Sequence, residues 1–232
     1  MSASAPRFEF PKPADLPNDH KLVLWATNYY VFSANAQPGG EPLLDVHGNS
    51  LGVFLNAGDF CRGGIEGTIR VAGPNGQSSV FNFAGQASHA QVDCGAVLHS
   101  QKPAVTGAGR VRYQKAGGPY GDGVHGLFLV PYRTIAVDKA QSPIAYESVI
   151  YIPAARGQAL TLPSGEAVVH DGHFFAADTG GAIKHNHIDI FTGIQKQTPF
   201  GFVKSTPEGT FEAFLIDAPE IKAQLKQDHR TP

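Results

Sequence analysis

The sequence predicts a mostly-β protein, either a barrel or a sandwich. Three observations carry that expectation. Glycine and proline are abundant, 27 and 17 in 232 residues, and they punctuate the chain without a fixed register. Between them lie short runs rich in β-branched and aromatic residues, the usual signature of strands joined by turns. Charged residues make up only 16% against 42% hydrophobic, and a chain of this length can bury a self-sufficient core.

Residues 1–20, rich in Pro, Ser and Asp, read as an extended N-terminal arm. The run LVLWATNYYVF at 22–32 is the first strong strand. Pro38-Gly-Gly and His47-Gly-Asn mark loops within 33–50. A short helix is expected near 56–61, and strands at 67–71, 79–83 and 91–99. Residues 100–124 read as a long glycine-rich connection. Strand signals then become denser, at 127–131, 134–137, 148–152, 167–170, 174–177, 187–191 and 211–215. Residues 218–227 read as a helix, within a C-terminal helix and tail over 218–232. No internal repeat is evident.

The formal net charge is −2 and no Lys/Arg block stands out, which argues against a nucleic-acid partner. A near-neutral surface suits a neutral ligand such as a glycan. The two cysteines, Cys61 and Cys94, do not form a CxxC, so a redox or zinc motif is not indicated. Whether they pair is left open by the sequence, because pairing depends on how close their Cβ atoms come. No apolar run is long enough for a membrane span. The N-terminus lacks a basic start followed by an apolar core, so it does not read as a signal peptide. Three alternatives follow: a leader already removed, export by another route, or retention inside the cell.

The segment FFAADTGGAIKHNHIDIF at 174–191 concentrates the chemistry. It reads as strand, glycine turn, strand, with Gly180 and Gly181 supplying a tight turn or a close backbone approach. Alternation in the second strand puts His187, Asp189 and Phe191 on one face and Ile188 and Ile190 on the other. The isoleucines form a core face. Asp189 then points away from the core, beside His187 and near Asp178 across the turn. An acid in mid-strand costs free energy unless it is solvated or partnered, so its placement needs a reason. For Asp178, before Thr-Gly-Gly, a turn carboxylate accepting backbone N–H groups is an equal alternative to a direct role.

These residues resemble the three-aspartate (3D) domain found in MltA-like lytic transglycosylases and in cell-wall-remodelling proteins. The likeness lies in Asp-x-Gly-Gly-Ala-Ile-Lys-x-x-x-x-Asp followed by an aromatic and a glycine, tight over 176–193. The second and third aspartates fall on Asp178 and Asp189. Ile135-Ala-Val-Asp138 resembles the strand that carries the first, and Ala26-Thr-Asn-Tyr29 resembles an early strand of the family. One departure stands out: His185 occupies a position that is usually glycine. If that position takes positive φ, histidine is a strained but tolerable occupant.

The resemblance implies a six-stranded double-psi β-barrel, with long inserted loops and extra β hairpins. It would span 21–217 with an insertion around 50–125. It implies cleavage of the MurNAc–GlcNAc bond of peptidoglycan glycan strands without water, giving 1,6-anhydroMurNAc ends. Asp189 would be the acid and then the base, with Asp178 tuning it. Thr27, Tyr29, Lys184 and His187 are candidate substrate contacts, and Asp138 a structural acid that holds barrel loops. No cofactor is implied. His185 and His187, two apart on one expected strand face, and the nearby His170 and His173 lack the pattern of a zinc site. An alternative from another class is an expansin-like module that binds wall glycans without cleaving them. If no leader precedes the chain, a delivered antibacterial effector or a phage lysis protein acting in the periplasm is expected. An effector would have an immunity protein as partner.

Overall fold

The structure is a computed structural model that describes residues 8–73 and 77–231. The first seven residues of the expected arm and the last residue of the expected tail lie outside the described residues. The chain divides into two compact units, one made of residues 1–29 and 123–232 and the other of residues 30–122.

In chain order, the first unit opens with β1 (Lys21–Tyr29). The second unit contains β2 (Phe32–Asn35), β3 (Glu41–Leu44), β4 (Ser50–Leu55), α1 (Ala57–Glu66), β5 (Thr68–Ala72), β6 (Ser78–Gln86), α2 (Cys94–Val97), α3 (Pro103–Ala108) and β7 (Val111–Lys115). The first unit then resumes with β8 (Thr134–Val137), β9 (Val149–Tyr151), β10 (Ala159–Thr161), β11 (Ala167–Val169), β12 (His173–Thr179), β13 (His187–Phe191), β14 (Phe211–Ile216) and α4 (Pro219–Asp228).

The expected six-stranded barrel forms, closed in the order β1-β13-β8-β12-β9-β14. It is mixed: β1 runs parallel to β13 and β8 parallel to β12, while the remaining pairs are antiparallel. Alternation decides what fills it. Leu24 and Ala26 of β1, Ile135 and Val137 of β8, Phe174 and Ala176 of β12, and Ile188 and Ile190 of β13 all turn into one buried core. The extra hairpins are β3–β4 and β10–β11. Among the described residues, no helix is long and apolar enough to cross a membrane.

The second unit has its own core, built around Leu43, Leu55, Phe60, Ile69, Phe81 and Tyr113. Its sheet runs β2-β5-β6-β7. Asn56 caps α1 by accepting from the Asp59 N–H, and Gly67 ends it at φ +80°. The pairing left open by the sequence is present: Cys61 of α1 and Cys94 of α2 form a disulfide.

Several expected elements are corrected. The run 22–32 is not one strand. It splits at Tyr30–Val31, because β1 pairs inside the barrel while β2 pairs with β5. Residues 91–99 are not a strand; they contain α2, capped by Asp93 accepting from the Ala96 N–H. Local capping wins there over the β-rich composition. The connection 100–124 holds α3 and β7, and the loops of 33–50 hold β3 and the start of β4. Residues 127–131 form no strand.

Candidate active site

The two central acids are set by register. Thr27 of β1 pairs with Asp189 of β13, and Asp189 pairs with Ala136 of β8. Asp178 of β12 also pairs with Ala136, on its other side. Thr27, Asp189, Ala136 and Asp178 therefore form one row across four adjacent strands. A bulge between Ala176 and Asp178 shifts the register of β12 just before the acid. Bulges of this kind re-aim side chains near functional sites. The Ala177 carbonyl at the bulge accepts from the Val124 N–H, and a Cβ on Gly123 would meet that carbonyl oxygen at 2.2 Å.

Each acid has a hydroxyl partner on β1. The Thr27 hydroxyl donates to Asp189 Oδ1 at 2.9 Å, and the Tyr29 hydroxyl donates to Asp178 Oδ2 at 2.8 Å. Thr27 Oγ1 also lies 2.8 Å from His187 Nε2. The structure thus brings together Asp178, Asp189, Thr27, Tyr29 and His187, five of the residues singled out by sequence. Trp25 joins them and was missed: its ring stacks on His187, centroids 3.6 Å apart and planes 6° apart. Period-two alternation from Thr27 and Tyr29 was the signal that could have found it.

Burial pushes the Asp189 carboxyl up to about 7; the Thr27 hydrogen bond opposes the rise and the charge of Asp178 adds to it. Burial likewise pushes Asp178 up to about 6, against the hydrogen bond from Tyr29. Tyr29 itself is pushed well above the usual phenol range, first by burial and then by Asp178. A pair of carboxyls held this way can keep a proton at neutral pH and give it up to a nearby oxygen.

The other predicted residues stand apart from this group. Asp138 follows β8 and accepts backbone N–H bonds from Ala140 at 3.0 Å and His185 at 2.9 Å. Those bonds hold its carboxyl below the usual range, with Lys184 contributing its charge. Lys184 is exposed on the turn. His185 sits in that turn at φ +54°, the left-handed region that favours glycine. It does not share a strand face with His187, because β13 begins only at His187. Of the two turn glycines, Gly180 is in close approach, where a Cβ would meet Ile183 Cγ1 at 2.8 Å; Gly181 faces open space.

The other two histidines singled out by sequence, His170 and His173, flank Asp171 of a buried ion pair. The Arg133 guanidinium grips Asp171 with two 2.6 Å hydrogen bonds, Nη1 to Oδ1 and Nη2 to Oδ2. The His173 N–H donates to Asp171 Oδ1 at 3.0 Å, and the Phe10 N–H to Oδ2 at 3.0 Å. Arg133 also lies 4.1 Å from the Phe8 ring centroid, so the N-terminal arm is pinned to this pair. His170 bonds the Tyr132 carbonyl and the Gly172 N–H. Among the described residues, no group of three or more His, Cys, Asp or Glu side chains is placed to hold a metal ion.

With the geometry in place, comparison with known proteins is direct. Residues 133–207 match the 3D domain family. The domain takes in β8, β12 and β13, the strands that present Asp178 and Asp189. The chain is also similar in fold to solved structures. One is Escherichia coli MltA with bound chitohexaose, 18% identical with a TM-score of 0.54, covering 85% of this chain and 72% of that one. Another is a membrane-bound lytic murein transglycosylase from Agrobacterium tumefaciens, 15% identical with a TM-score of 0.54, covering 87% of this chain and 76% of that one. At these identities the likeness is one of fold. No curated protein matches the sequence significantly.

Proposed function

We propose that this protein is a lytic transglycosylase that cleaves the glycan strands of peptidoglycan, with Asp189 as its acid and then its base. The observation that carries the reading is the state of Asp189: a carboxyl held at about 7 beside a second acid on the 3D-domain strands. A general acid has to keep its proton near working pH, and a carboxyl raised to about 7 supports that role. The likeness of fold to an MltA that holds chitohexaose supports a glycan ligand.

In this reading Asp189 protonates the oxygen between MurNAc and GlcNAc, and the bond from that oxygen to C1 breaks. The carboxylate left behind takes the proton of the muramoyl C6 hydroxyl, whose oxygen bonds to C1. The product is a 1,6-anhydroMurNAc end, and no water is consumed. Ordinary glycosidases need two carboxylates at a set separation. Here one suffices, because the nucleophile belongs to the substrate. Asp178 ionises first and raises the proton affinity of Asp189 through like-charge repulsion. Thr27 and Tyr29 hold the two acids, Lys184 and His187 flank the substrate, and Asp138 fixes the turn. The Cys61–Cys94 bridge suits action in an oxidising compartment such as the periplasm. Delivery into a competitor is a further part of the proposal, and it calls for an immunity protein that binds this chain.

The test is digestion of purified peptidoglycan in water enriched in oxygen-18, followed by mass spectrometry of the released ends. Anhydro ends without the heavy isotope are expected. Reducing ends that carry it would show hydrolysis and sink the proposal. Binding without product would favour a non-catalytic wall-binding module.

A further inference from the structure

The acid row lies between two aromatic pairs. On the face of β1 and β13 turned away from the core, Trp25 stands opposite His187, Thr27 opposite Asp189, and Tyr29 opposite Phe191. Side chains two residues apart on a strand share a face, about 7 Å from one another. The aromatic pairs therefore flank Thr27 and Asp189 at equal spacing, one on either side. The two pairs are used differently. The Tyr29 ring is committed: its hydroxyl donates to Asp178 Oδ2 at 2.8 Å, and the ring leans at 47° on the fully buried Phe191.

Trp25 is engaged on one face only. Its indole lies flat on His187, with the planes 6° apart, and His187 is buried while Trp25 is half-buried. A flat ring laid over a buried one meets solvent with its other face. Among the described residues, those packed onto the barrel core do not include Trp25. The ring beneath is held by Thr27 Oγ1, 2.8 Å from Nε2, and by a hydrogen bond to the Ala182 backbone. The indole thus rests on a fixed base. A single exposed apolar side chain is ordinary on a protein surface. A large aromatic face laid flat one step along the strands from the acid is better placed to be covered by a ligand.

We propose that Trp25 is a substrate-binding residue: its outer indole face stacks on the pyranose next to the bond that Asp189 cleaves, on the His187 side of the acid. This rests on the ligand of the site being a glycan. A β-linked pyranose carries axial C–H bonds on its faces. Those bonds are the weakly positive partner that the negative face of an aromatic ring prefers. The contact is made on binding and kept through the reaction. It therefore holds the strand in register with Asp189 without changing the chemical step.

Trp25 is the single tryptophan of the chain, so tryptophan emission reports this position alone. Glycan strands solubilised from peptidoglycan are titrated into Asp189→Asn, which should leave them intact, and binding is followed in parallel by calorimetry. The emission should shift to shorter wavelength as the indole leaves water, and it should saturate with the calorimetric Kd. Heat of binding with unchanged emission would overturn the proposal and leave the glycan reading of the site standing. Absence of binding by both methods would overturn the two together. Kinetics on peptidoglycan supply a second arm. Trp25→Leu keeps an apolar cover on His187 and removes the aromatic face; it should raise KM about tenfold with kcat nearly unchanged. Trp25→Phe keeps a smaller face and should recover most of the affinity. A wild-type KM in Trp25→Leu, or a loss confined to kcat, would also overturn the proposal. The emission titration uses the native tryptophan, so it remains decisive even if Trp25→Leu fails to fold.

Discussion

Asp171 and Asp189 lie in the same unit, and burial pushes both carboxyls up, yet they end with opposite proton affinities. At Asp171 that push is overcome by the Arg133 guanidinium, with His173 helping, so the group stays ionised far below the usual range. At Asp189 only a hydroxyl opposes burial, and the nearest charge is another acid. The first carboxylate is locked in a pair that ties Phe10 of the arm to the barrel. The second, raised to about 7, is the one proposed to transfer a proton. Burial therefore does not make an acid reactive; the sign of its neighbours decides whether it becomes a brace or a reagent.

The comparison can be broken from either side. Asp189→Asn should cut turnover on peptidoglycan by about 10²–10⁴-fold, the usual worth of a general acid, measured as the rate of anhydro-end release. Asp171→Ala should instead unfold the protein more easily, by about 3–5 kcal/mol in urea titrations, because it strands the buried Arg133 charge.

Stability against pH sharpens the contrast. The folded protein raises the proton affinity of Asp178 and Asp189 above the unfolded values. Their favourable contribution is complete below about pH 4 and is lost as pH rises through the folded values near 6 and 7. Asp189→Asn should therefore stabilise the protein by about 1–2 kcal/mol at pH 8 and by nearly nothing at pH 4, read as a difference in Tm. Asp171 has the opposite sign: its contribution is present above the unfolded value and is lost only as pH falls through its depressed folded value. The smallest effect is expected for Asp178→Asn. With the like charge gone, the alkaline limb of the activity profile should move to lower pH.

The site was more legible than the fold around it. Asp178, Asp189, Thr27, Tyr29 and His187 came from a short motif and from period-two alternation, which a strand obeys wherever it pairs. The motif left open whether His185 takes positive φ, and it does, at +54°. Strand partners were not legible. The run that became β1 and β2 is continuous in composition, and only the change of pairing partner divides it. Residues 91–99 misled because Asp93 and Cys94 act through a cap and a disulfide, neither of which shows in hydrophobic pattern. Arg133 and Asp171 are 38 residues apart, and nothing local marks them as a pair.

The most direct measurement is a carboxyl carbon-13 NMR titration of the resting protein, following Asp189 and Asp171 side by side. Asp189 should titrate near pH 7, while Asp171 stays ionised down to the pH at which the fold is lost. An Asp189 that ionises in the ordinary range near pH 4 would contradict its role as the proton donor.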